Sequence, residues 1–166
     1  SIWSHIRMAI PQLCNLGLSG ISFIGTDVGG FGSDCTPELF ARWIQLGCFS
    51  PLFRDHCAKG CKAQEPWQFG EEVLAISRKY LNLRYELLPY FYDLMRECEL
   101  TGIPMMRPLV LEFEKDENVK NRNDEFMLGD RLLISPVVEQ GAREKLVYLP
   151  KGKWYDYWTG EEKKGE

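Results

Sequence analysis

The sequence predicts an α/β fold: the C-terminal portion of a (β/α)8 barrel followed by the start of a β-sandwich domain. Three observations carry this expectation. Across residues 1–102 a short β-rich run, a helix, a second short run and a long helix follow one another, which is the rhythm of α/β architecture. Polar residues gather where each short run ends, at Thr26-Asp27 and at Arg54-Asp55-His56, as on the loop-bearing face of a barrel. Near Ile103 the period changes to short β-like runs, so residues 103–166 are expected to begin a β-rich domain.

The first element is a helix expected over residues 2–16, with Ile6, Ala9, Ile10, Leu13 and Leu16 on one face, strain near Pro11 and a stop at Gly17. Residues 21–24, Ile-Ser-Phe-Ile between Gly20 and Gly25, predict a strand covered on both faces. Val28-Gly29-Gly30-Phe31-Gly32 resists regular structure, and Thr36-Pro37-Glu38 then supplies an N-cap, a first-turn proline and an acid for the helix dipole. The helix that follows buries Leu39, Phe40, Trp43 and Ile44, with Gly47 as its stop.

A second apolar run over residues 48–53 leads into Arg54-Asp55-His56 and a loop ending in Gln64-Glu65-Pro66-Trp67, where Trp67 reads as core. Residues 69–100 predict a long amphipathic helix with Glu71 and Glu72 in its first turn. Its apolar series runs through Leu74, Tyr80, Leu81, Leu87, Leu88 and Phe91, with a kink or break at Pro89. Strands are expected within residues 105–113, 131–138 and 145–149, and the charged run 112–125 as a solvated loop.

Other classes fit less well. A dinucleotide-binding sheet has the same rhythm, but Gly29-Gly30-Phe31-Gly32 lacks the Gly-x-Gly-x-x-Gly spacing that brings backbone to a pyrophosphate. The net charge of −4, with Lys and Arg scattered, argues against a nucleic-acid partner, and no apolar run is long enough to span a membrane. No cofactor is called for. Six cysteines are too few for a disulfide scaffold and favour a reducing compartment such as the cytoplasm, with localisation and oligomeric state otherwise open. His56, Cys57 and Cys61 make an incomplete zinc set, and a Cys57–Cys61 disulfide is a minor alternative to ordinary loop residues. The chain starts at Ser1 without an initiator Met and stops in a charged stretch, which reads as two cuts through a longer protein.

Several segments in order resemble the C-terminal part of a glycoside hydrolase family 31 α-glucosidase. They include Gly25-Thr26-Asp27-Val28-Gly29-Gly30-Phe31, Phe53-Arg54-Asp55-His56, Gln64-Glu65-Pro66-Trp67, Leu83-Arg84-Tyr85, Arg107-Pro108-Leu109 and Trp154-Tyr155-Asp156. The resemblance implies retaining hydrolysis by two Asp residues, a nucleophile after the fourth barrel strand and an acid/base after the sixth. Neither motif occurs here. Trp3 resembles the tryptophan that closely follows the acid/base, so that segment is expected just before Ser1, and the chain alone is expected to be inactive.

What the resemblance leaves in this chain is part of a pocket for an α-glucoside, with Asp27, Phe31 and His56 as the matching residues and Arg54 beside them. An ionised Asp accepts hydrogen bonds from sugar hydroxyls, a His donates or accepts at one ring nitrogen, Phe31 packs on a sugar face, and Arg54 orients a carboxylate. Each has a plainer reading: Asp27 as a loop cap, His56 as a structural histidine, Arg54 as the partner of a structural acid, Phe31 as core. His5 reads as structural. Asp55 stands where the family usually has Asn, which adds a negative charge beside His56. Other family 31 specificities, α-xylosidase or α-glucan lyase, stay open. A different class, a non-catalytic carbohydrate-binding module, is suggested by the 13% aromatic content and the late β-rich segment.

Overall fold

The computed structural model describes all residues, 1–166. Its elements run α1 (Trp3–Leu18), β1 (Asp27–Val28), α2 (Pro37–Gly47), β2 (Arg54–Asp55), a 3-10 turn (Pro66–Phe69), α3 (Glu71–Glu86) and α4 (Leu88–Thr101). They continue with β3 (Met106–Pro108), α5 (Leu109–Glu112), a 3-10 turn (Glu117–Val119), β4 (Phe126–Leu128), β5 (Leu132–Ile134), β6 (Gly152–Tyr155) and β7 (Glu162–Gly165). β1 and β2 pair in parallel, β3, β4 and β5 form an antiparallel sheet, and β6 and β7 form a hairpin.

One apolar core joins the two halves. Ile6, Ile10 and Leu13 of α1 meet Leu39, Phe40 and Trp43 of α2, and the same cluster takes in Met106 and Phe126 from β3 and β4. Full burial of an aliphatic or aromatic side chain is worth roughly 1.5–3 kcal/mol, so this shared cluster dominates the stability of the chain. A smaller cluster packs Phe91 and Leu94 of α4 against Met105 and Leu128. α1 runs through Pro11 as far as Leu18, where Ser19 closes it with its own N–H and hydroxyl on the Asn15 carbonyl.

Several expectations need correction. Residues 21–24 form no strand: Ile21 and Phe23 are exposed, and the chain offers this segment a neighbour on one side only, through Leu52 N–H to the Ile24 carbonyl at 3.0 Å. The ladder is confined to Asp27–Val28 and Arg54–Asp55, so the second run contributes its polar end and not its apolar residues. Trp67 is 64% exposed. The ring that reaches the core is its neighbour Phe69, stacked on Phe40 with centroids 4.3 Å apart. The long helix breaks at Leu87, two residues before Pro89, where the missing amide is harmless in a first turn. In α3 the buried positions are Val73, Ser77 and Leu83, while Leu74, Tyr80 and Leu81 are half-buried.

The second half departs further from expectation. After three residues of strand the run 105–113 turns helical at Leu109. The stretch read as a solvated loop buries Val119 and the Glu125 side chain, which accepts the Tyr148 N–H at 3.0 Å and whose pKa burial raises. No strand forms over 145–149; the late hairpin is instead β6–β7, made of Lys- and Glu-rich residues. Asp156 organises its turn by accepting the Trp158 and Thr159 N–H groups at 2.9 and 2.8 Å. Those bonds and the Thr159 hydroxyl hold its carboxylate below the usual range.

Arg107 ties these parts together. Its side chain is only 2% exposed, yet it donates to Glu97 of α4 and Glu112 of α5, both at 2.6 Å, and to the Pro104 carbonyl at 2.7 Å. Burial alone would lower the guanidinium pKa, and the two carboxylates more than reverse that.

Candidate functional site

The parallel register Asp27↔Arg54 and Val28↔Asp55 brings the two polar run ends side by side. Close approach is possible because Gly25 lies against the Leu52 carbonyl, where a β-carbon would overlap the oxygen. Arg54 Nη2 donates to Asp27 Oδ1 at 2.6 Å, so two of the candidate residues are partners of one another. No protein donor reaches Asp27 Oδ2, which leaves that oxygen free to accept from a hydroxylated ligand. The Arg54 guanidinium is solvated, so the pair fixes geometry while adding at most about 1 kcal/mol of stability.

Beyond Asp27 the chain reverses through Gly29 and Gly30, closed by Gly30 N–H on the Asp27 carbonyl at 2.8 Å. Both have φ near +85°, a conformation that costs glycine nothing. The reversal delivers Phe31, exposed and 5.4 Å from the His56 ring between centroids. Ala58 N–H bonds the Phe31 carbonyl at 2.8 Å and Lys62 N–H bonds Asp34 at 2.9 Å, strapping the 57–62 loop to the 31–34 loop. Asp27, Phe31, Arg54 and His56 thus share one solvent-facing surface.

Strand alternation sends Asp55 to the face opposite Asp27 and Arg54. There its carboxylate, though on a residue more exposed than buried, is desolvated under the loop and pushed up to about 6. The Gln64 hydrogen bond opposes this, Glu65 reinforces it and His56 opposes it. Asp27 and Asp55 therefore do not converge as a carboxylate pair.

Two side chains that support this arrangement carried no role in the sequence reading. Gln64 is 4% exposed, and its amide nitrogen lies 3.4 Å from the Val28 carbonyl and 3.3 Å from Asp55 Oδ1. Its Oε1 is buried and meets no protein donor. Arg84 donates to the carbonyls of Cys48, Ser50 and Pro51 at 3.0, 2.6 and 2.8 Å and covers the Phe91 ring, setting the turn that leads into β2. Both lie inside motif segments, but nothing local marks either as a bridge.

The six cysteines are free, including Cys57 and Cys61. Burial pushes the thiols of Cys14, Cys35 and Cys48 up to about 12, which suits inert packing residues. No three His, Cys, Asp or Glu side chains are grouped to hold a metal ion, so His56, Cys57 and Cys61 do not converge on one. No helix is long and apolar enough to cross a membrane.

Two family descriptions match the chain in order: "Glycosyl hydrolases family 31 TIM-barrel domain" over residues 1–94, then "Glycosyl hydrolase family 31 C-terminal domain" over residues 102–166. The chain belongs to glycoside hydrolase family 31. Its fold class is accordingly the C-terminal part of that barrel and the start of the β domain behind it. Alpha-glucosidase 2 of Bacillus thermoamyloliquefaciens is 50% identical over 161 residues, which are 97% of this chain and 20% of that protein. A family 31 dextranase of Flavobacterium johnsoniae in complex with glucose superposes with a TM-score of 0.94 at 41% identity, over 99% of this chain and 21% of that one. A family 31 α-xylosidase from a soil metagenome in complex with xylose gives 0.93 at 33% identity, over 100% of this chain and 28% of that one. This family 31 chain therefore spans about a fifth of the length of the relatives it matches.

Proposed function

We propose that this chain forms one wall of the sugar pocket of a retaining glycoside hydrolase acting on terminal α-glucosidic bonds. The observation that carries the reading is the β1–β2 pairing, which gathers Asp27, Arg54, Phe31 and His56 on one face. In this pocket Asp27 Oδ2 accepts from a glucose hydroxyl, Arg54 holds the carboxylate in place, His56 bonds a second hydroxyl, and Phe31 packs on the ring face. Retention requires two carboxyl groups about 5–5.5 Å apart, one to form the glycosyl ester and one to move the proton. That pair lies upstream of this chain, a reading supported by the divergence of Asp27 and Asp55 onto opposite faces. The pocket wall belongs to residues 1–102 and the β-rich domain to 103–166; a glycine with φ of 79° at Gly102, ending α4, supports that division.

The test is a pair of measurements on the 166-residue chain. A chromogenic α-glucoside is expected to show no turnover, and turnover would overturn the upstream placement of the catalytic pair. Glucose titrated by NMR is expected to shift His56 weakly and Asp27→Ala to abolish the shift, whereas tight binding would favour a self-sufficient carbohydrate-binding module. A second specificity, α-xylosidase, is supported by the likeness to the xylose-bound enzyme. A response to xylose stronger than to glucose would favour it.

A further inference from the structure

We propose that Gln64 is a positioning residue that holds the ends of β1 and β2 together and so sets the spacing of Phe31 and His56; this rests on the pocket reading above for its functional meaning. Gln64 sits on the face of the strand pair opposite Asp27 and Arg54. Its single amide group reaches both strands, through the Val28 carbonyl at 3.4 Å and Asp55 Oδ1 at 3.3 Å. Val28 and Asp55 are the register partners next in line after Asp27 and Arg54, so the amide closes the ladder from behind.

The space for this amide is made by Gly29. A β-carbon built there would lie 2.7 Å from Gln64 Nε2 and 2.9 Å from Oε1, and a positive φ of 84° already favours glycine. Gly29 is also the first residue of the reversal that ends at Phe31. His56 is the residue after Asp55. One buried side chain therefore touches the residue that precedes the Phe31 reversal and the residue that precedes His56, on the face opposite Asp27 and Arg54.

Asp55 gives the arrangement a pH signature. The groups around its carboxylate are Gln64 and Glu65 on the loop, His56 directly after it in the chain, and the Cys35 and Cys57 thiols, while Arg54 faces the other way onto Asp27. Gln64 is the neutral donor among them, so its removal raises the Asp55 midpoint. Gln64→Glu converts the bridge into an acid pair. Below both titrations of that pair each acid carries a proton, so Asp55 can donate to the new carboxyl while the new carboxyl donates to the Val28 carbonyl. Above it the two charges repel.

The experiment is NMR of the full chain, reading the cross-relaxation between the Phe31 and His56 rings and the pH titration seen at His56. Wild type is expected to show the ring–ring signal across neutral and mildly acidic pH. Gln64→Leu is expected to lose it, and to move the Asp55-linked inflection upward, while core signals from Ile10 and Phe40 stay in place. Retention of the ring–ring signal and an unmoved inflection in Gln64→Leu would overturn the proposal. If Gln64→Leu fails to fold, Gln64→Glu decides: a signal present at acidic pH and lost at alkaline pH supports the bridge, and one independent of pH overturns it. Glucose titration is read separately. A wild-type chain whose rings touch but whose His56 ignores glucose refutes the pocket and leaves the positioning role standing.

Discussion

Replacing Arg84 with methionine keeps an apolar stem and removes every donor, so it isolates what the guanidinium does. Three carbonyls lose their partner, those of Cys48, Ser50 and Pro51, all on buried residues. Hydrogen bonds from a charged donor are worth roughly 1.5–3 kcal/mol each and stacking on an aromatic face about 0.5–2 kcal/mol, which as a bare sum would exceed 5 kcal/mol. The sum overshoots, because burial lowers the Arg84 pKa and removing the charge recovers that desolvation cost. The expected net loss is about 3 kcal/mol for Arg84→Met. Arg84→Lys keeps a charge but not the planar fork and is expected to lose about half as much. Urea unfolding followed by circular dichroism reads both as midpoint shifts at constant slope. If Arg84→Met unfolds within about 0.5 kcal/mol of wild type, the carbonyl clamp contributes nothing net and the reasoning fails.

Asp55 titrates near 6 in the folded chain against an ordinary value near 4, so the folded state holds the proton more tightly. Its contribution to stability is fully present below the ordinary value and is lost as pH rises through about 6; midpoints measured across this window should fall for wild type more than for Asp55→Asn, and parallel curves would refute the assignment. Arg107→Leu strands two glutamates and is expected to lose about 3 kcal/mol, against less than about 0.5 for Arg96→Ala on the surface, both by urea midpoint. Gly25→Ala places a methyl group on the Leu52 carbonyl and should destabilise by at least about 2 kcal/mol, while Gly32→Ala, with open space around it, should be near neutral in the same assay.

Much of the site was legible because chemistry and topology agree locally. A polar residue directly after an apolar run singles out Asp27 and the 54–56 segment, although the paired strands turn out to be those polar residues themselves and not the apolar runs before them. The identity of Asp27's partner was not legible, since the register that sets Arg54 against it joins segments 27 residues apart and neither encodes the pairing. Gln64 was invisible for a related reason: its role depends on the empty space at Gly29, which exists only after the strands meet. Composition misled in both directions at the ends of the ladder of hydropathy. Trp67 looks like core and is exposed in this chain, and the ring of that segment that stacks on Phe40 is Phe69, two residues on. Glu125 and Arg107 look like surface and are buried because each finds polar partners brought by another element. The β6–β7 hairpin has no apolar alternation to announce it, and its turn is specified by one aspartate.

The parallel pair of two-residue strands has a kinetic consequence. Helices α1, α2, α3 and α4 draw their backbone bonds from neighbours four residues away and can form early, whereas the Asp27–Arg54 ladder closes a long loop and must wait for both ends to arrive. Helical circular dichroism can therefore run ahead of the pairing of Asp27 with Arg54. Helicity would overstate the fraction of chains in which the ladder has closed, and hydrogen exchange at the amides of Val28 and Asp55 is the better clock for that step.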